Sequence, residues 1–369
     1  MRKAKGISEF AVLFAASLII LVAGGVWFLM AQKYAASPAK MGAAPSRVSP
    51  DPTPLSTRNA TTTLTIETPK PSPMPGTPSF TPFLSPSPAS SPKILTWSYD
   101  PGMRIASSSA PYITRLEDGR FRMYYAAEQG IASAISDDGL QFVPEQGIRV
   151  LADQSNASST EFLVTDPTIV KTDDGRFRMY YTGMNATLDP ASAIRNIFSA
   201  VSPDGLNFTK EGIRIDSQKN GDNGWTAMPE AVKRPDGPTY LYYDSHNAQA
   251  GGGIVIASSR DGLSFNAEIP LVQSTGLLID PSVLRMPNNT YVMIAVSLSK
   301  TVPPYADPGI YSLDSTDGLV FGDIAQIAAG DGMYDPSAIQ IDKNTVRVFY
   351  THFTPGSSPE IRSITGTIK

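Results

Sequence analysis

The sequence predicts an all-β fold: a five-bladed β-propeller with four-stranded antiparallel blades, preceded by one N-terminal transmembrane helix and a disordered linker. Three observations predict it. The eight residues DGRFRMYY occur twice, beginning at Asp118 and Asp174. An X-Pro dipeptide precedes each copy at the same spacing. It recurs as Ala110-Pro111, Asp166-Pro167, Met228-Pro229, Asp280-Pro281 and Asp335-Pro336, five units with a period of about 55 residues. The turn sequence SxDGLxF trails the first four units, at 136–142, 202–208, 259–265 and 315–321.

The N-terminus comes first in the chain. Arg2, Lys3 and Lys5 precede residues 10–30, which carry no charge. A bilayer core needs about 20 apolar residues in a helix, and a cleaved secretory signal has a shorter apolar run, about 7–15 residues. Basic residues stay on the cytoplasmic side. Residues 1–36 therefore read as a cytoplasmic stub and a transmembrane signal-anchor. This places a single-pass protein in the cell membrane with its C-terminal domain extracellular. Residues 37–92 are rich in proline, serine and threonine, as in TPKPSPMPGTPSF. Such a segment buries too little apolar surface to offset its ordering entropy, so it reads as a disordered stalk.

Residues 93–369 carry the repeats. In each unit the X-Pro opens a short strand such as YITRL or TIVKT. Asp-Gly or Asn-Asn then supplies a hairpin turn, where positive φ is tolerated. RFRMYY is an aromatic-rich second strand. IASAIS, IFSAVS and IVIASS are third strands, and SxDGLxF turns the chain into a fourth. One such sheet cannot bury both faces alone, so the units must pack on each other. A radial array does this and leaves only short edges. The last unit lacks SxDGLxF, so ILTWSYDPG at 94–102 is the expected strand that closes the ring.

Composition excludes several chemistries. The 369 residues hold no cysteine and two histidines, with a net charge of -4. Thiol nucleophiles, thiolate metal sites and multi-histidine zinc sites are absent. The acidic balance argues against nucleic acid as a partner. No Gly-x-Ser-x-Gly elbow or phosphate-binding loop occurs.

The residues before each proline are expected to meet at one mouth of the ring. Asp166, Asp280 and Asp335 would converge there, with Glu230 two residues past Met228. Converging carboxyls push their pKa values apart, which is how acid–base pairs arise. These four are the candidate catalytic residues. Asp-Pro as a plain cap on each strand is the competing reading. Asp244 and His246 lie in a loop on the same face, and Trp225 and Tyr334 precede first strands. Such aromatics would stack on sugar rings or pack at a blade edge.

These units, with Asp-Pro at first strands and DGRFRMYYTG behind it, resemble the superfamily of arabinanases, levansucrases and invertases, including glycoside hydrolase family 43. The resemblance spans residues 93–369. It implies a carbohydrate-acting five-bladed propeller with an aspartate base in the first blade, a pKa-tuning aspartate in the second and a glutamate acid in the third. Asp166 falls at the second position. Glu230 falls near the third, at a different offset from the proline. The first position is Ala110, which cannot accept a proton. Asp100, in WSYDPG, is similar to the aspartate of the invertase DPNG motif, and is a candidate substrate contact. The resemblance also implies a structural cation in the central channel beside a last-blade histidine. His352 is suitably placed for it, an ordinary hydrogen-bonded histidine being the other reading. SxDGLxF likewise resembles the Asp-box turn of sialidases, which is structural. Together these imply a membrane-tethered, extracellular, glycosidase-like propeller that engages carbohydrate. A non-catalytic carbohydrate-binding or protein-interaction propeller is the alternative that Ala110 motivates.

Overall fold

The computed structural model describes residues 94–368, apart from 188–192, 223, 246–252, 267–268, 271–277 and 299–306. The expected membrane helix and stalk lie outside the described residues, as does His246.

The described residues form five antiparallel sheets. Blade I runs through Ser109–Arg115, Phe121–Ala127, Gly130–Ser136 and Val143–Pro144. Blade II comprises Leu163–Lys171, Phe177–Met184, Arg195–Ser202 and Thr209–Ile215. Blade III comprises Thr226–Lys233, Thr239–Ser245, Gly253–Ser259 and Ile269–Pro270. Blade IV comprises Leu278–Arg285, Tyr291–Ser297, Gly309–Ser315 and Gly322–Ala329. Blade V takes Met333–Asp342, Thr345–His352 and Glu360–Ile368 from the end of the chain. Its fourth strand is Ile94–Tyr99, paired antiparallel to Glu360–Ile368. The ring is thus closed by the segment that the missing turn had pointed to.

The core lies in the seams between blades. Tyr124 and Ile131 of blade I pack with Ile169, Met179 and Phe198 of blade II. Tyr180 and Ile197 of blade II pack with Leu241, Tyr243 and Val255 of blade III. Equivalent clusters join blades III and IV, IV and V, and V and I. Both faces of every blade are therefore covered. Inner strands read as continuous buried runs rather than alternating ones, as in Tyr291–Ser297, where every residue is buried. Each large apolar side chain so buried contributes about 1.5–3 kcal/mol.

The repeated DGRFRMYY has a specific task. The first tyrosine of its Tyr-Tyr pair reaches the SxDGLxF turn of the following blade. Tyr124 Oη donates to Gly205 O at 2.8 Å, and Tyr180 Oη to Gly262 O at 2.7 Å. Tyr242 Oη does the same to Gly318 O at 2.7 Å. The turn's phenylalanine meets that tyrosine edge-on, as Phe208 meets Tyr124 and Phe265 meets Tyr180. The second arginine crosses its own blade to an outer carboxylate. Arg122 pairs with Glu145 at 2.8 Å, Arg178 with Glu211 at 2.9 Å and Arg347 with Asp100 at 3.3 Å. The turn aspartates are inward caps, as expected. Asp138, Asp204, Asp261 and Asp317 each accept two backbone N–H groups of their own turn.

The turn glycines have positive φ, +70° at Gly262. A Cβ on Gly262 would lie 2.6 Å from Arg178 Nη1 and 2.8 Å from Tyr180 Oη. Gly175, in a hairpin, also has positive φ, +84°, but nothing stands within 4 Å of its Cβ position. We expect Gly175→Ala to cost about 1–2 kcal/mol from backbone strain alone. Gly262→Ala should cost at least about 3 kcal/mol, because the steric clash adds to the strain. Urea unfolding of both variants checks this, and equal losses would contradict it.

Candidate functional site

The five X-Pro dipeptides sit at bulges in the five first strands. Proline offers no N–H, and the residue before it is twisted out of the ladder. Ala110, Asp166, Met228, Asp280 and Asp335 all take left-handed φ, between 49° and 55°. Each such non-glycine residue costs about 1–3 kcal/mol. The five positions line one small cavity with their prolines, Tyr112, Glu230 and Ser337. Its volume is about 30 Å³. A water molecule needs about 10–15 Å³, so this space is large enough to hold water.

Side chains of the preceding blade collect the twisted amides. Ala110 N–H donates to Thr351 Oγ1 at 2.8 Å, and Thr351 Oγ1 in turn donates to Asp335 Oδ2 at 2.8 Å. Met228 N–H donates to Thr182 Oγ1 at 3.0 Å and also reaches the Asp166 carboxylate. Asp280 N–H donates to Asp244 Oδ2 at 3.1 Å, and Asp335 N–H to Asp280 Oδ2 at 3.0 Å. Thr182, Asp244 and Thr351 occupy one repeated position, just after the aromatic pair of the second strand. Blade IV has Val296 there, and Asp280 takes its place. Blade I has Ala126 there, with Ala110 on the first strand, so neither offers an acceptor toward Asp166.

A second circle lies two residues further along each strand. Ala231 N–H donates to Thr168 Oγ1 at 3.1 Å, and Val283 N–H to Glu230 Oε1 at 3.1 Å. Ala338 N–H donates to Ser282 Oγ at 3.0 Å, and Ile113 N–H to Ser337 Oγ at 3.1 Å. At the remaining seam Tyr112 Oη donates to Ile169 O at 2.7 Å. Glu230 thus stands where blades II, IV and V use threonine or serine.

Electrostatics follow from burial. Desolvation pushes Glu230 up to about 8, against the Val283 amide and the Thr168 hydroxyl, which lower it. Asp244, Asp280 and Asp335 are also pushed up, first by burial and then by one another and Asp166. Asp166 is raised by burial too, but the Thr182 and Thr165 hydroxyls and the Arg195 charge oppose the shift. Among the described residues, Asp166 Oδ2, Asp244 Oδ1 and Asp280 Oδ1 are buried without a hydrogen-bond partner.

The structure brings Asp166, Glu230, Asp280 and Asp335 together around one cavity, with Asp244 joining the acidic ring from the second strand of blade III. Tyr334 is half-buried beside this ring; burial, with the Asp280 and Asp335 charges, raises its hydroxyl to about 12. Asp100 does not join the group. Its carboxylate accepts from Ser363 Oγ at 2.6 Å and Thr365 Oγ1 at 2.9 Å within blade V, beside Arg347. Trp225 is 8% exposed, and the Arg195 guanidinium lies 3.6 Å from its ring centre. That face is therefore covered by a cation. His352 faces Glu360 at 3.8 Å, while burial and the Arg362 charge lower its pKa. A neighbouring arginine opposes a cation there. Among the described residues, no three acidic or histidine side chains are arranged to hold a metal ion. The described residues around His352 do not fit the expected cation. Thr182, Thr351 and Arg195 went unremarked in the sequence. A polar residue directly after the aromatic pair, as in YYT, YYD and FYT, was the available signal for the first two.

Solved structures similar to this chain include five-bladed propellers of glycoside hydrolase families 43 and 32. A glycoside hydrolase aligns with a TM-score of 0.59 at 17% identity, over 74% of this chain and 92% of its own. An endo-1,4-beta-xylanase from Bacteroides thetaiotaomicron aligns at 0.52 and 15%, over 72% and 91%. An exo-beta-1,3-galactanase from Phanerochaete chrysosporium, in complex with beta-1,3-galactotriose, aligns at 0.55 and 12%, over 73% and 64%. Neither a protein-family model nor a curated protein matches the sequence.

Two outcomes follow from this geometry. Glu230 keeps its proton to about 8 when folded, against about 4.3 in an unfolded chain. The folded state then binds more protons between those values, so stability is full below about pH 4 and declines as pH rises toward about 8. The raised aspartates act in the same direction. Melting temperature should fall from pH 5 to 9, and Glu230→Gln should flatten that slope. A rising melting temperature over this range would contradict the assignment. Separately, Asp280→Asn keeps an acceptor for Asp335 N–H and should preserve stability near pH 6. Asp280→Ala leaves that amide unpaired and should cost about 1–3 kcal/mol, read by chemical denaturation.

Proposed function

We propose that the propeller binds carbohydrate at the mouth of its ring without cleaving it, held at the outer face of a membrane by residues 10–30. One observation carries the non-catalytic part. Asp280 and Asp335 are engaged by the amide of the following blade or by the threonine beside it. Ala110 leaves the place of a first-blade base without a proton acceptor. Inverting hydrolysis needs two carboxyls about 6.5–9.5 Å apart with water between them. The carbohydrate part is supported by fold likeness to glycoside hydrolases, one of them bound to a galactotriose. The membrane part is supported by the uncharged segment and the basic residues before it.

Glu230 favours a second reading. A carboxyl that holds its proton to about 8 suits a general acid, and Asp166, opposed in its shift by Arg195, is the acid best suited to stay ionised. Affinity electrophoresis and reducing-sugar assays on arabinan, xylan, galactan and fructan separate the two. Retardation without sugar release is the expected outcome. Release that disappears in both Asp166→Ala and Glu230→Gln would establish hydrolysis instead.

A further inference from the structure

Arg195 stands outside the repeated scheme that satisfies the other buried polar groups. It opens the third strand of blade II, and only 4% of it is exposed. Its N–H donates to Gly224 O at 2.8 Å, and it bridges Trp225 across the seam between blades II and III. Its guanidinium lies on the indole, 3.6 Å from the ring centre. The other buried arginines are paired in plane. Arg122, Arg178 and Arg347 have carboxylates, and Arg104 and Arg149 donate to backbone carbonyls. Arg195 has no such partner among the described residues, and its Nη1 is buried without a hydrogen bond. Asp166 is close enough for its charge to raise the Arg195 pKa, which burial holds down at about 10. Yet no ion pair joins the two.

A cation–π contact explains why the guanidinium lies flat on Trp225, and is worth about 2 kcal/mol when desolvated. It leaves Nη1 without a hydrogen-bond partner among the described residues. A buried unpaired cation costs several kcal/mol, and such an orphan in a native fold calls for an explanation, a bound ligand among them. The donors form a planar fork that matches a carboxylate in two parallel bonds. Asp166, the acid whose charge reaches Arg195, has its own pKa raised by burial.

We propose that Arg195 anchors an oxyanion carried by the ligand, and that the saccharide taken at this mouth is acidic, its anionic group a uronate carboxylate. This rests on the carbohydrate-binding reading above. Trp225 acts through Arg195, holding the guanidinium in place rather than stacking a sugar on that face.

The test uses the full-length chain at pH 6. Uronate polysaccharides (polygalacturonate, alginate, glucuronoxylan) are compared with their own carboxyl-reduced forms and with a sulfated glucan. At least one uronate polymer should bind, and its carboxyl reduction should weaken binding about 30-fold or more. Arg195→Gln should lose affinity for that polymer to a similar degree, with its fold checked by thermal melting. Should that variant unfold, the native-versus-reduced comparison on the wild type decides. Equal binding of native and reduced polymers overturns the proposal and leaves carbohydrate binding standing. Binding of the sulfated glucan alone overturns the carboxylate assignment. Binding to no glycan, neutral or acidic, overturns the underlying functional reading itself.

Discussion

Four backbone amides around the central cavity, those of Ala110, Met228, Asp280 and Asp335, point away from their own sheets because a proline follows each. A buried N–H without an acceptor costs about 1–3 kcal/mol, and each of these residues also carries the strain of a left-handed φ. The preceding blade supplies the acceptors, so no blade completes its own inner end. The fold therefore depends on circular closure. Removing one member strands an amide on the next.

That dependence limits what the inner carboxylates are free to do. A carboxyl that already receives an amide has one oxygen committed, and burial keeps the group neutral over a wide pH range. Asp280 shows the compromise. It accepts Asp335 N–H with one oxygen and leaves the other without a partner among the described residues. Such groups are structural first. Any ligand chemistry must use the oxygens and charges that the seams leave over.

Symmetry then separates scaffold from site. Positions that repeat with the same residue type do the same work in several blades: the arginine–carboxylate pairs, the tyrosine contacts to the turns, the serine and threonine acceptors. Departures from the repeat concentrate around the mouth. Ala110 and Ala126 leave one seam without an acceptor, Glu230 places an acid where others have a hydroxyl, and Arg195 is a cation with no in-plane partner among the described residues. These are the positions where the five-fold logic has been relaxed.

The sequence by itself determined the number of blades, the strand order, the turn chemistry and the segment that closes the ring. Each of these is written in local pattern: period, hairpin residues, and a missing final turn. It also named Asp166, Glu230, Asp280 and Asp335 correctly as neighbours, because the repeat places them in register. Only the tertiary structure decided what those groups touch. Ala110 meets Thr351 across 241 positions of sequence, and Asp100, so similar in its motif to a site residue, is bound into blade V. Burial and hydrogen bonding are properties of the closed ring, and a linear pattern does not carry them. The isolation of Arg195 on Trp225 is likewise visible only once two blades are brought side by side.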